Sequence, residues 1–209
     1  MSDAAAVTRI EQKKADKRRR LIDAALELFA ERGFHGTAVP LVAERAGVAA
    51  GTVYRFFESK EALVNAVFRE AKGRLAGALA GLDTLDETLP ARERFREFWQ
   101  RLVRFARAEP IAFQFLELQD HMPYLDDESR ALELRVLGPM FQACVGFRET
   151  GAFRKDVPVD ATMAFVWGAF VGLMKAERNG YLKLDDETLW RAGDACFRAF
   201  ARDDDERED

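Results

Sequence analysis

From Lys13 to Arg32 the apolar residues Ile22, Ala25, Leu26 and Phe29 recur at i, i+3, i+4 and i+7, and Leu21 and Leu28 widen the stripe. That spacing turns one face of a helix toward a core. The same period returns through most of the chain, and no stretch alternates apolar and polar residues with β-branched enrichment. The sequence therefore predicts an all-α protein. Gly33 ends the first helix. Thr37 is placed to cap a short second one, with Pro40 in its first turn and Gly47 at its end. A third short helix is expected over 50–57. Ser59 then caps a long fourth helix whose inner face is Leu63, Ala66, Val67, Ala71 and Leu75. After a junction at 77–90, helical patterns follow at 91–108, 110–119, 127–149, 160–179 and 185–202. Pro139 is expected to kink the longest of these, and the acidic run Asp203 to Asp209 to fray.

With 48% hydrophobic residues in 209, the chain can bury a sizeable core. The formal charge of −4 excludes a uniformly basic nucleic-acid coat, but the charge is unevenly spread. Residues 1–71 hold 12 Lys and Arg against 10 Asp and Glu, and the remainder 20 against 26. A basic front and an acidic back suggest two jobs. Cys144 and Cys196 lie far apart in apolar helical contexts and are expected to be buried, reduced thiols. Residues 1–12 lack the apolar stretch of a secretory signal, and the uncharged run 161–174 falls short of the ~20 residues of a membrane span. These features predict a cytoplasmic protein without a membrane partner.

The informative segment is 33–63, GFHGTAVPLVAERAGVAAGTVYRFFESKEAL. Two short helices around Gly47 and Val48 have the length and turn of a helix-turn-helix, whose second helix can enter a DNA major groove. On that third helix Thr52, Tyr54 and Arg55 face outward, while Val53, Phe56 and Phe57 can pack inward. Gly51 lets the backbone approach DNA closely. Thr52 can bond a phosphate or touch a thymine methyl, Tyr54 can reach a phosphate, and Arg55 can fork onto guanine or a phosphate. Lys60 adds its charge to the positive N-terminal end of the fourth helix.

In order, Ala-Glu-Arg-Gly-Phe, Val-Ala-Glu-Arg-Ala-Gly-Val, Gly-Thr-Val-Tyr-Arg-Phe-Phe and Ser-Lys-Glu-Ala-Leu resemble the DNA-binding domain of the TetR family of bacterial transcriptional regulators. The resemblance implies a three-helix helix-turn-helix domain over 1–60 and a helical effector-binding and dimerisation domain over 61–209. It places Thr52, Tyr54 and Lys60 at DNA-contact positions; Thr37, Ala50, Gly51 and Arg55 complete the expected set. Ala49 stands where the family usually has a capping Ser, and Pro40 where a polar residue often reaches the backbone. Ahead of the first helix lies a basic arm, with Arg9, Lys13, Lys14, Lys17, Arg18, Arg19 and Arg20 against Glu11 and Asp16. Such an arm can follow the DNA backbone, enter a flanking minor groove, or simply keep the helix start soluble.

For the second domain, the face Phe165, Gly168, Ala169, Gly172 and Ala176, with its small residues at helical spacing, and the stripe Leu189, Cys196 and Phe200 on the last helix suggest a four-helix dimer interface, an intramolecular core being the alternative. A pocket for a small apolar effector follows from the resemblance. Trp99, Phe105, Phe113 and Phe141 could line it or fill a solid core, and Glu117, His121 and Tyr124 could supply its polar contacts. No paired carboxylates, activated nucleophile, phosphate loop or Cys/His metal set is present, so no enzyme activity, cofactor or metal is expected. The expected function is ligand-responsive transcriptional regulation, chiefly repression at a palindromic operator. An architectural DNA-binding or partner-scaffold protein is the alternative.

Overall fold

A computed structural model describes residues 2–82, 88–118 and 120–202, so the acidic tail lies outside the described residues. Helices α1 (Ser2–Gly36), α2 (Val39–Arg45), α3 (Ala50–Tyr54), α4 (Lys60–Leu79) and α5 (Ala91–Ala108) come first. They are followed by α6 (Pro110–Leu118), a 3-10 turn (Met122–Tyr124), α7 (Asp127–Glu149), α8 (Val159–Arg178) and α9 (Asp186–Phe200). Among the described residues the only β pairing is an isolated bridge between Phe153 and Ala201, and the protein is all-α. Helices α4 to α9 fall within two residues of the sequence pattern; α4 and α9 are capped locally, Ser59 Oγ accepting from Ala62 N and Asp185 from Thr188 N. Helix α7 runs through Pro139. Helix α3 stops at Tyr54 rather than at Phe57, and α1 begins at Ser2, well ahead of its apolar stripe.

The chain divides into two compact units. The first joins Met1–Gly73 to Pro110–Leu132. Its core is built from the predicted stripe of α1 (Leu21, Ile22, Ala25, Phe29), from Val42 and Val53 of the two short helices, and from Leu63, Val64 and Val67 of α4. Each of these Leu, Ile, Val and Phe side chains contributes roughly 1.5–3 kcal/mol by leaving water. Helix α6 lies against α1, where Gln114 Nε2 donates to the Ala30 carbonyl at 2.6 Å and Phe115 is fully buried. Packing thus assigns α6 and the 3-10 turn to the same unit as the helix-turn-helix. A division of the chain at residue 60 does not anticipate this, because nothing local in α6 specifies its partner.

The second unit joins Arg74–Glu109 to Glu133–Asp209. Here α5 packs on α9. Trp99 is 2% exposed, donates Nε1–H to the Leu189 carbonyl at 2.8 Å, and meets Phe170 edge-on at 5.4 Å. Phe197 contacts both Phe95 and Phe153, at 5.6 and 5.3 Å between ring centres. Arg107 holds Glu177 through two hydrogen bonds of 2.7 and 2.9 Å. Cys144 and Cys196 are buried free thiols, as expected, and burial pushes both pKa values up. By length and composition α8 is apolar enough to cross a membrane, although its uncharged run alone falls short, and only 22% of that stretch is buried within the chain.

Candidate nucleic-acid interface

The turn between α2 and α3 depends on Gly47, whose φ of +67° lies where a side chain would be strained. Behind α3, Val53 is 1% and Phe57 5% exposed, which fixes which edge of this short helix faces out. Ala50, Gly51, Tyr54 and Arg55 are exposed on that edge, and Thr52 is half-buried. A Cβ at Gly51 would meet nothing within 4 Å, so no neighbour within the chain explains the glycine. Neither Ala38 nor Ala49, the N-caps of α2 and α3, makes a side-chain capping bond. The first turns close on themselves instead, Leu41 N donating to the Ala38 carbonyl at 3.0 Å and Thr52 N to that of Ala49 at 2.8 Å.

Lys60 opens α4 half-exposed, with Nζ 4.2 Å above the Phe34 ring. Burial lowers its pKa and the neighbouring Glu61 carboxylate opposes that shift. Thr37 departs from the expectation. It is 1% exposed, and its hydroxyl lies 2.9 Å from the Gly33 carbonyl and 3.1 Å from that of Leu28. The side chain thus closes the C-terminal end of α1 rather than capping α2, and burial withdraws it from any DNA surface.

Sequence reasoning missed the clamp built around Asn65. This residue is 3% exposed on α4; its Nδ2 donates to the Glu61 and Tyr124 carbonyls, and its Oδ1 accepts from Asp126 N. Arg69 adds two bonds to the Asp126 carboxylate, at 3.0 and 2.9 Å. Asn65 stands two residues from both Leu63 and Val67, on the opposite side of α4 from that stripe, so the inner-face pattern does not mark it. The same clamp explains Tyr124, which stacks on Phe34 at 3.9 Å and is hydrogen-bonded through its hydroxyl to His35 Nε2 at 2.6 Å.

The expected effector residues are not gathered in one unit. Phe113, Glu117, His121 and Tyr124 belong to the first, while Trp99, Phe105 and Phe141 belong to the second. Trp99 and Phe105 are core residues and Phe141 is 41% exposed. A cleft of about 220 Å³ in the second unit is lined by Trp99 together with Arg92, Arg96, Trp190 and Asp194. His121 is 5% exposed, with Nε2 against the Phe115 carbonyl and Nδ1 without a hydrogen-bond partner. Burial lowers its pKa against the opposing pull of the Phe115 carbonyl and Asp120, and Lys72 lowers it further. Among the described residues no three potential ligands converge on a metal position.

The expected dimer residues also separate. On α8, Phe165, Gly168 and Gly172 are exposed and Ala169 and Ala176 half-buried, so among the described residues that face is largely uncovered, with Phe165 meeting the Phe200 ring edge-on at 5.2 Å. On α9, Leu189, Cys196 and Phe200 are instead 1%, 7% and 6% exposed. They are core residues because the amphipathic stripe of α9 is spent on covering α5.

Residues 21–67 match the sequence model for bacterial regulatory proteins of the tetR family, and residues 82–202 match that for the tetracyclin repressor-like C-terminal domain. The chain belongs to the TetR family. It is 28% identical over 170 residues to the HTH-type transcriptional repressor DhaR of Mycobacterium sp. strain GP1, covering 78% of this chain and 84% of DhaR. It also shares its fold with a TetR family transcription regulator from Marinobacter aquaeolei VT8. That match has a TM-score of 0.79 and 24% identity, over 92% of this chain and 100% of the other. The regulator FadR of Bacillus subtilis, solved in complex with stearoyl-CoA, matches with a TM-score of 0.62 and 20% identity, over 86% and 95% of the two chains.

Proposed function

We propose that this TetR-family protein is a cytoplasmic homodimeric repressor that leaves a palindromic operator when a small apolar effector binds. The observation that carries the reading is the exposed edge of α3, where Ala50, Gly51, Tyr54 and Arg55 stand over the buried Val53 and Phe57. That edge has no partner in its own unit that would require a glycine next to a tyrosine and an arginine. Thr52 and Tyr54 would bind phosphates, Arg55 would read a base, and Lys60 would neutralise a phosphate at the start of α4. Two recognition helices about 34 Å apart read successive major grooves, which requires two copies of the chain. The outward small-residue face of α8 is the surface we assign to the second copy. The repressor name of DhaR and the stearoyl-CoA bound by FadR support repression and an apolar effector.

The effector must favour the released state, since equal affinity for both states shifts nothing. Operator selection from random duplexes tests the reading. Lys60→Ala should weaken binding to all sequences and flatten log K against log salt by about 0.9 per lost phosphate. Arg55→Ala should relax base preference by about 1–3 kcal/mol at one position of each half-site. Unchanged affinity, slope and selected sequence in both variants would remove this edge from the interface.

A further inference from the structure

We propose that the N-terminal extension of α1 is a second DNA-binding element, a helical stripe of cations that grips backbone phosphates of the duplex flanking the operator. The inference rests on the operator-binding reading above. Residues 9–20 form continuous helix with α1 and bury no side chain; the first core residue is Leu21. At about 100° per residue, Arg9, Lys13, Lys17 and Arg20 fall within about 80° of one another, and Lys14 and Arg18 continue the arc to about half the circumference. No acid falls inside that arc: Asp16 lies about 20° beyond Arg9, with Arg19 as its ion-pair partner at 3.7 Å, and Glu11 about 20° beyond Arg18.

A helix start that only had to stay soluble would gain more from mixing the two signs. Instead the cations at 9 and 13, 13 and 17, and 14 and 18 stand at i and i+4, where like charges destabilise a free helix. A polyanion relieves that repulsion. Two arginines join the stripe to the helix-turn-helix. The Arg18 guanidinium lies 5.5 Å from the centre of the Phe57 ring, just past α3. Arg20 Nη1 lies 4.0 Å from the position a Cβ would take at Gly47, in the turn between α2 and α3. From there the stripe extends about 16 Å along the helix axis. A helix about 10–12 Å across does not enter a minor groove about 6 Å wide, so the helical form excludes the groove-reading arm that the sequence alone allows. The contact is therefore to phosphates, and it adds affinity without sequence preference.

The test uses the full chain and a variant carrying Lys13→Gln, Lys14→Gln and Lys17→Gln, which keeps good helix formers ahead of the core. Binding is measured across a salt series on the selected operator, with and without ten base pairs of flanking duplex. The wild type should lose affinity when the flanks are trimmed. The variant should be indifferent to trimming, with a salt slope shallower by about 1.8 per subunit for two phosphates at about 0.9 each, and should select the same sequence. Lys60→Ala should flatten the slope yet retain the flank dependence. A variant with the wild-type slope and flank dependence overturns the proposal, and so does a slope change that ignores the flanks, which would place the stripe inside the operator. An unchanged DNA slope with lost binding to anionic vesicles would assign the stripe to a membrane surface and overturn it equally. If the wild type selects no sequence from random duplexes, the operator reading itself falls and takes this inference with it.

Discussion

Gly193 is the position in the second unit where the smallest addition should do the most harm. Replacing a mid-helix glycine by alanine ordinarily stabilises by about 1 kcal/mol through backbone entropy. In α9 a Cβ there would stand 2.7 Å from Cδ1 and Cγ of Trp99 and 2.8 Å from Cδ2, whereas carbon atoms prefer about 3.5–4.0 Å. The indole cannot retreat freely. Its Nε1–H is held by the Leu189 carbonyl, and Phe95 and Phe170 lie against it at 6.2 and 5.4 Å between ring centres. Overpacking a rigid core of this kind costs about 1–3 kcal/mol, and moving the ring far enough to release its hydrogen bond costs about 1 kcal/mol more. Set against the helix gain, Gly193→Ala should destabilise by about 1–3 kcal/mol. Urea unfolding followed by near-UV circular dichroism of the tryptophans would show an earlier midpoint. A drop in melting temperature of about 2–4 °C per kcal/mol should accompany it. A variant as stable as the wild type, or more so, would refute the claim that Trp99 is locked against α9.

Gly172→Trp should split the homodimer in sedimentation at micromolar concentration. A Cβ there meets nothing within 4 Å in its own chain, and an indole would cost a close-packed second copy about 1–3 kcal/mol; an intact dimer would move the interface off this face of α8. His121 is held below its ordinary pKa by burial, so the unfolded chain takes up a proton first as pH falls. Its contribution is present above the unfolded value near 6.5 and is lost as pH falls toward the folded one. Comparing urea midpoints at pH 7.5 and 5.5, His121→Gln should lose less stability over that interval than the wild type, and an equal loss would show that His121 does not titrate there.

What the sequence alone determined was local. The 3.6-residue period, Gly33 and Gly47 at positive φ, and the cap Ser59 placed the helices, because each signal acts within about one turn of itself. The third helix was legible for the same reason, since Val53 and Phe57 point inward wherever Tyr54 and Arg55 point out. Partners were not legible. A threonine next to a helix start reads as its cap, yet Thr37 answers carbonyls of the preceding helix, one of them nine residues away. A glutamine on α6 gives no hint that it will bond Ala30, and so none that α6 belongs with the helix-turn-helix. The apolar stripes of α8 and α9 look equally ready for a second chain, but Leu189, Cys196 and Phe200 are buried in their own unit while Phe165 stays 56% exposed. Periodicity reports that a face will leave water. Which surface covers it depends on how much apolar area each neighbouring helix has left to offer, and only the assembled tertiary structure decides that.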